Sequence, residues 1–280
     1  MTDIVVISPH LDDAVLSIGG LIGREVAAGR SVEVWTCFTA GPPLESIPGA
    51  RRVFGDYTNR LAEDQRALAV LGAGHRYLDL HERIWRTPPL AKMLHVFHTP
   101  AHEAELSELS RIRDTIRTLL ATSALIYVPL AIGHHVDHTE VAVAALRELL
   151  AGDAFDRLRF YEDPYALGGG CRRQHFVSKR RLWPAFGAPA WASPRVAGLL
   201  RLVAFNARGP QIEDYVPEAT KLAWTCTPMP LTAEDEERKL VAVAEYGSQI
   251  TAFGGLHRVR PFMKRAHRML GGEPIWSCKR

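Results

Sequence analysis

Cysteine is scarce in this 280-residue chain. Cys37, Cys171, Cys226 and Cys278 lie far apart and form no CxxC pair, which excludes a zinc ribbon, a dithiol redox motif and a disulfide-stapled scaffold. A reducing, cytoplasmic setting is the expectation. A long apolar run is missing too. The longest stretch free of Asp, Glu, Lys and Arg, Thr118–Val136, contains Pro129, His134 and His135, so no integral membrane segment is expected. The opening MTDIVVISPHLDD has no basic region and carries Asp3, Asp12 and Asp13, unlike a signal peptide. Neither charge sign dominates: 34 Lys and Arg against 31 Asp and Glu leave +3, which argues against nucleic acid as a partner. With 47% hydrophobic and 23% charged residues, the chain is not disordered. What it does have is histidine, 12 in all.

Short apolar runs alternate with amphipathic stretches over the first 150 residues. Ile4–Ile7, Ser31–Thr39, Arg76–Leu80 and Ala124–Pro129 read as strands. Helices are expected from Asp12 or Asp13 to Ala28, over Thr58–Leu71 with Gly72 as a stop, over Glu105–Ala121 and over Asp137–Leu150. Strands separated by helices of this length imply βαβ crossovers. The fold class that follows is α/β, a Rossmann-like three-layer sandwich with a mainly parallel sheet and an irregular C-terminal cap. The length alone suggests about two domains. The pattern reduces this to a single domain over 1–280, with an α/β core carrying the site at 1–162. Residues 163–231, rich in Pro, Gly and Trp, form an irregular cap and substrate region, and 232–280 a C-terminal helix, from Ala233 to about Tyr246, and a basic tail.

Two motifs follow strands directly, and ligand sites in such sheets lie beyond the strands' carboxyl ends. In Ser8-Pro9-His10-Leu11-Asp12-Asp13, His10 and Asp13 are three apart at a turn entering a helix and suit Zn²⁺. Asp12 projects differently, free to act as a base on water. In Gly133-His134-His135-Val136-Asp137-His138, His138 completes a His₂Asp set if both strand ends share one sheet edge. Asp137 is placed to orient His135. Taken singly, each motif is also what a helix N-cap or an exposed histidine pair looks like. Together, at strand ends, they describe a site.

The pairing of S-P-H-L-D-D with H-x-D-H resembles the PIG-L/LmbE-like zinc-dependent N-deacetylases. The resemblance extends through Arg60-x-x-Glu63-Asp64 with its Leu71-Gly72 end, Tyr161-Glu162-Asp163-Pro164-Tyr165, and Lys239 followed by Tyr246-x-Ser248-Gln249. It implies hydrolysis of the acetamide of an N-acetylglucosamine-type conjugate, a small-molecule partner, with Zn²⁺ on His10, Asp13 and His138; Fe²⁺ accepts similar ligands. It further implies Asp12 as general base, and a protonated His135, oriented by Asp137, at the oxyanion. Arg60 matches a position that binds sugar hydroxyls, and Glu82 falls where the family often has an aspartate; both are carried as substrate-binding candidates. Leu11 replaces the usual proline, Ala14 a frequent acid, and Gly133 a position where some members carry tyrosine. The rival readings are hydrolysis of another amide in a sugar or thiol conjugate, and a non-catalytic carbohydrate-binding protein. A homo-oligomer stays open.

Other features have plainer readings. His95, His98 and His102, interrupted by Pro100, read as a surface loop. Trp183 and Trp191 suit either an apolar aglycone or loop packing. The clusters Arg172, Arg173, Lys179, Arg180, Arg181 and Arg258, Arg260, Lys264, Arg265, Arg268 read by default as solvated faces, with an anionic substrate group or membrane surface as the alternative.

Overall fold

The computed structural model describes residues 2–49, 52–122, 124–181 and 194–280; Trp183 and Trp191 lie outside them. Seven strands form one sheet: β1 (Ile4–Ser8), β2 (Val32–Ala40), β3 (Gly74–His81), β4 (Leu125–Pro129), β5 (Leu158–Tyr161), β6 (Ala223–Met229) and β7 (Glu273–Lys279), in the order β3-β2-β1-β4-β5-β7-β6. The first five are parallel, as the βαβ pattern requires; β7 runs antiparallel to β5 and β6 antiparallel to β7. All five residues of β1 are buried, which is why it reads as an unbroken β-branched run.

The longer helices are α1 (Asp13–Ala27), α2 (Tyr57–Leu71), α3 (Leu109–Leu120), α4 (Val136–Gly152), α5 (Pro194–Asn206), α6 (Ala233–Ala244) and α7 (Leu256–Leu270). They lie on both faces of the sheet. Ile4 and Val6 point into one apolar layer with α1, α2, α6 and α7, whereas Val5 and Ile7 point into the other with α3 and α4. Gly72 closes α2 in the left-handed conformation, φ 73°. Among the described residues, no helix is long and apolar enough to cross a membrane.

The helix expected from Ala233 is present as α6, but the rest of the C-terminal third departs from expectation. Residues 256–279 are not a basic tail. In α7, Val259, Phe262, Met263, Ala266 and Leu270 are buried at helical spacing beneath the basic residues, and β7 sits inside the sheet. The expected irregular cap, 163–231, likewise contains α5 and β6. The basic clusters are partly neutralised within the chain. Arg172 is fully buried, its Nη1 2.9 Å from Glu162, and on α7 Arg260 pairs with Glu237, with Lys264 3.7 Å from the same carboxylate.

Candidate functional site

The strand order reverses direction of progress between β1 and β4: from β1 the chain steps outward to β2, and later returns to the other side. Ligands collect at such a switch point, outside the carboxyl ends, and both motifs emerge there. The turn after β1 is tight. Ser8 Oγ donates to His10 O (2.7 Å) and accepts from Ala14 N–H (3.1 Å), and His10 N–H donates to Asp13 Oδ2 (2.9 Å). These bonds hold Asp12 at φ 132°, ψ −31°, a conformation costing about 1–3 kcal/mol in a residue with a Cβ. After β4, Gly133 adopts φ +105°, and a Cβ there would stand 2.9 Å from Tyr165. Glycine is required at that position; the ring of Tyr165 fills the space and packs 5.7 Å from the His138 ring.

His10, Asp13 and His138 come together. Asp13 Oδ2 lies 3.0 Å from His10 Nδ1 and 3.0 Å from His138 Nε2, and those two nitrogens are 3.2 Å apart. Bonds of about 2.0 Å to a tetrahedral ion imply donor–donor edges of roughly 3.3 Å. The triangle therefore fits three ligands of a single divalent ion. The outward nitrogens are held by carboxylates: His10 Nε2 lies 3.0 Å from Asp137 Oδ2, and His138 Nδ1 bonds Asp163. His135 stands beside this face, its ring 4.8 Å from His10 and 5.1 Å from His138. Ligand atoms of His10, His135 and His138 also lie within 4.8 Å of one another.

Two details of the sequence reading are corrected. Asp137 bonds His10 rather than His135, whose Nδ1 is 3.9 Å away and, though buried, has no hydrogen-bond partner among the described residues. The reason is geometric: Asp137 lies in the first turn of α4, and the Arg83 amide (3.0 Å) and the Arg86 guanidinium bind the same carboxylate. For His135 the direction is also opposite to the expected protonated state: burial, then the neighbouring His10, push its pKa well below 6.5.

The remaining charges divide clearly. Burial opposes a charge on His10 and His138, yet the carboxylates outweigh it and raise both, His138 to about 9. Burial also opposes ionisation of Asp137, but Arg86 and His10 keep its pKa low. Asp13 is likewise lowered against burial, chiefly by His138. Burial, then the Asp13 carboxylate, push Asp12 up, while Arg60 and His10 pull against them.

A cavity of about 310 Å³ opens on this face and reaches Asp12, Arg60, Glu82 and His135. Arg60, four residues before Asp64 on α2, pairs with Glu82, Nη1 to Oε1 at 2.6 Å. Asp64 instead accepts from the Tyr246 hydroxyl at 2.7 Å, and Glu63 accepts from the Ser248 hydroxyl at 2.6 Å, which brings Gln249 to the cavity. Sequence reasoning gave no role to Asp163, Arg86 or Gln249. Asp163 had a usable signal, since it lies just beyond the carboxyl end of β5, beside β4. The His95 and His98 loop holds stacked rings, 4.4 Å apart, and its Val96 and Phe97 line the cavity.

At the switch point of a Rossmann-like sheet, a His/Asp donor triangle thus stands beside the carboxylate of Asp12. Residues 5–149 match the family described as PIG-L: GlcNAc-PI de-N-acetylase, and the chain belongs to that family. A curated relative, the 2'-N-acetylparomamine deacetylase of Niallia circulans, is 28% identical over 183 residues, 57% of this chain and 66% of that protein. The match thus spans just under two thirds of the relative. A deacetylase of the teicoplanin biosynthesis pathway superposes with a TM-score of 0.69 at 24% identity, over 100% of this chain and 98% of its own. The A40926 pseudoaglycone deacetylase gives 0.63 at 23%, over 99% and 96%. At these identities the likeness is one of fold.

Proposed function

We propose that this protein is a metal-dependent N-deacetylase that hydrolyses the acetamide of an N-acetylglucosamine-type conjugate, releasing acetate and a free amine. The observation that carries this reading is the triangle of His10 Nδ1, Asp13 Oδ2 and His138 Nε2, with edges of 3.0–3.2 Å, beside Asp12 in one cavity. Those three residues would hold the ion; their two nitrogens and one oxygen suit Zn²⁺, and Fe²⁺ next. When bound, such an ion supplies a Lewis acid that polarises the amide carbonyl and brings the pKa of water towards about 7.

The chain's own residues do the rest. Asp12 takes the proton of the attacking water and returns it to the departing amine. Its pKa, raised by burial and Asp13, makes it a better proton acceptor than an exposed aspartate. His135, whose pKa burial and His10 lower, offers an N–H to the amide oxygen as negative charge gathers there. Asp137 and Asp163 fix the tautomers of His10 and His138. Arg60, locked by Glu82, presents its remaining donors to sugar hydroxyls; its buried Nε has no partner among the described residues. A protein that only bound sugars would have no use for the strain at Asp12. Asp12→Asn is expected to keep a full complement of metal while turnover falls roughly 100- to 10,000-fold. Metal analysis with an acetate-release assay checks both, and normal deacetylation by that variant would remove Asp12 from the mechanism.

A further inference from the structure

The helix α5 has an outer face that the core does not use. Its inner residues Val196, Ala197, Leu200 and Val203 are buried, whereas Arg195, Gly198, Arg201, Leu202 and Phe205 are exposed. At 3.6 residues per turn these five fall within an arc of about 120°. Phe205 is 73% exposed and Leu202 42%, two of the four large hydrophobic side chains exposed among the described residues. Just past the helix, the Arg208 guanidinium stands 5.7 Å from the centre of the Phe205 ring. Leu202 also lines the large cavity, so the face runs into the cavity's rim. Its charge has one sign. From Pro164 to Ile212 the sequence contains no Asp or Glu. Among the described residues Arg195, Arg201 and Arg208 make no ion pair, unlike Arg172 and Arg260. The next acids, Glu213 and Asp214, lie in the turn Ile212–Tyr215, where Asp214 accepts from the Gln211 amide at 2.7 Å.

We propose that this face of α5 docks on an anionic lipid bilayer, with Leu202 and Phe205 below the headgroups and Arg195, Arg201 and Arg208 on the lipid phosphates. The combination of side chains selects the occupant. A polyanion such as nucleic acid would satisfy the arginines and leave Phe205 in water. An apolar protein patch would cover Leu202 and Phe205 and leave three arginines without counter-charge. A bilayer interface answers both, because apolar side chains sink to the headgroup–acyl boundary while cations meet the negative surface. The long arginine stems let the guanidiniums stay at phosphate level as the rings and methyls go deeper. Docking in this way brings the cavity's rim to the headgroup layer. The inference is independent of the chemistry inside the cavity.

The test is co-sedimentation of the full chain with vesicles of phosphatidylcholine alone and of phosphatidylcholine mixed with phosphatidylglycerol, at low and high salt. At roughly fivefold per arginine near a negative surface, the mixed vesicles should bind about 100-fold more tightly than the neutral ones. High salt should weaken that preference. Phe205→Ser should lower binding to the mixed vesicles by about tenfold, and Arg201→Gln by about fivefold. Both positions are exposed, so the urea midpoints of the variants should match the parent's, which separates lost docking from lost folding. Equal binding to both kinds of vesicle, or binding to neither, overturns the proposal. So does binding that survives both substitutions, which places the contact elsewhere. Binding to the mixed vesicles that Arg201→Gln weakens but Phe205→Ser leaves unchanged also overturns it, and assigns the face to a soluble polyanion.

Discussion

An imidazole can face a cation with one nitrogen only if its other nitrogen keeps the proton and has an acceptor for it. His10 and His138 solve this in mirror fashion: His10 turns Nδ1 inward and Nε2 to Asp137, His138 turns Nε2 inward and Nδ1 to Asp163. Arg86 stands behind Asp137 and also reaches Glu140 at 2.7 Å, so the first acceptor is itself fixed. Asp137→Asn or Asp163→Asn should weaken zinc binding by about 10- to 100-fold, measured by competition with a chromophoric chelator. Unchanged affinity in both variants would mean that these carboxylates serve packing alone. The spacing H-x-D-H made His135, Asp137 and His138 legible as site residues. It could not give their partners, because Asp137 meets His10 across 127 positions of chain, and that pairing exists only once β1 and β4 lie side by side.

At the scale of elements, the helical turn Gly169–Gln174 and the end of β4 are joined through one ring. His175 Nδ1 accepts from the amides of Val177 (3.3 Å) and Ser178 (3.2 Å), so Nε2 carries the proton and donates to Leu130 O at 2.9 Å. Burial, followed by the nearby His134, Arg172 and Lys179, lowers its pKa to about 3. The unfolded chain, with a histidine near 6.5, binds the extra proton first as pH falls. Stability is therefore fully present above about pH 6.5 and declines between there and about 3, by up to about 1.4 kcal/mol per pH unit. His175→Gln should flatten that decline in urea titrations run at pH 7.5, 6 and 5; parallel slopes for variant and parent would assign the acid sensitivity elsewhere. Elements with strong periodicity were readable from sequence, such as α2 ending at Gly72 and the buried run of β1. In the C-terminal third the helix expected from Ala233 is there as α6, whereas α5, α7, β6 and β7 were not legible. The apolar stripe of α7 is diluted by seven basic or histidine side chains, His257, Arg258, Arg260, Lys264, Arg265, His267 and Arg268, and β7 finds its place only between two strands made elsewhere.

Across the whole molecule, the C-terminal segment holds the helix that begins with the candidate ligand Asp13. α1 is kinked at Ile18, φ −130°, which frees the amides of Gly20 and Leu21. Glu273, at the start of β7, accepts both, at 2.9 and 2.7 Å, and acts as a cap for the second half of the helix. Lys239 of α6 neutralises it at 2.7 Å and donates to Ser17 O at 3.1 Å; both charged side chains are 1% exposed. Three elements distant in sequence thus meet in one buried ion pair, and a residue from each is needed to satisfy the others. Removing one charge strands the other: Lys239→Met should cost about 3–5 kcal/mol, because Glu273 keeps its two amides but loses its counter-ion. Neutralising the pair, Lys239→Met with Glu273→Gln, should recover much of that loss, since a buried pair adds little over neutral groups of similar shape. Urea denaturation of the parent, the single and the double variant measures the coupling. A double variant that loses as much as the sum of the two single changes would show that Lys239 and Glu273 stabilise the chain independently, and that α1 is held at its kink by packing rather than by this charge pair.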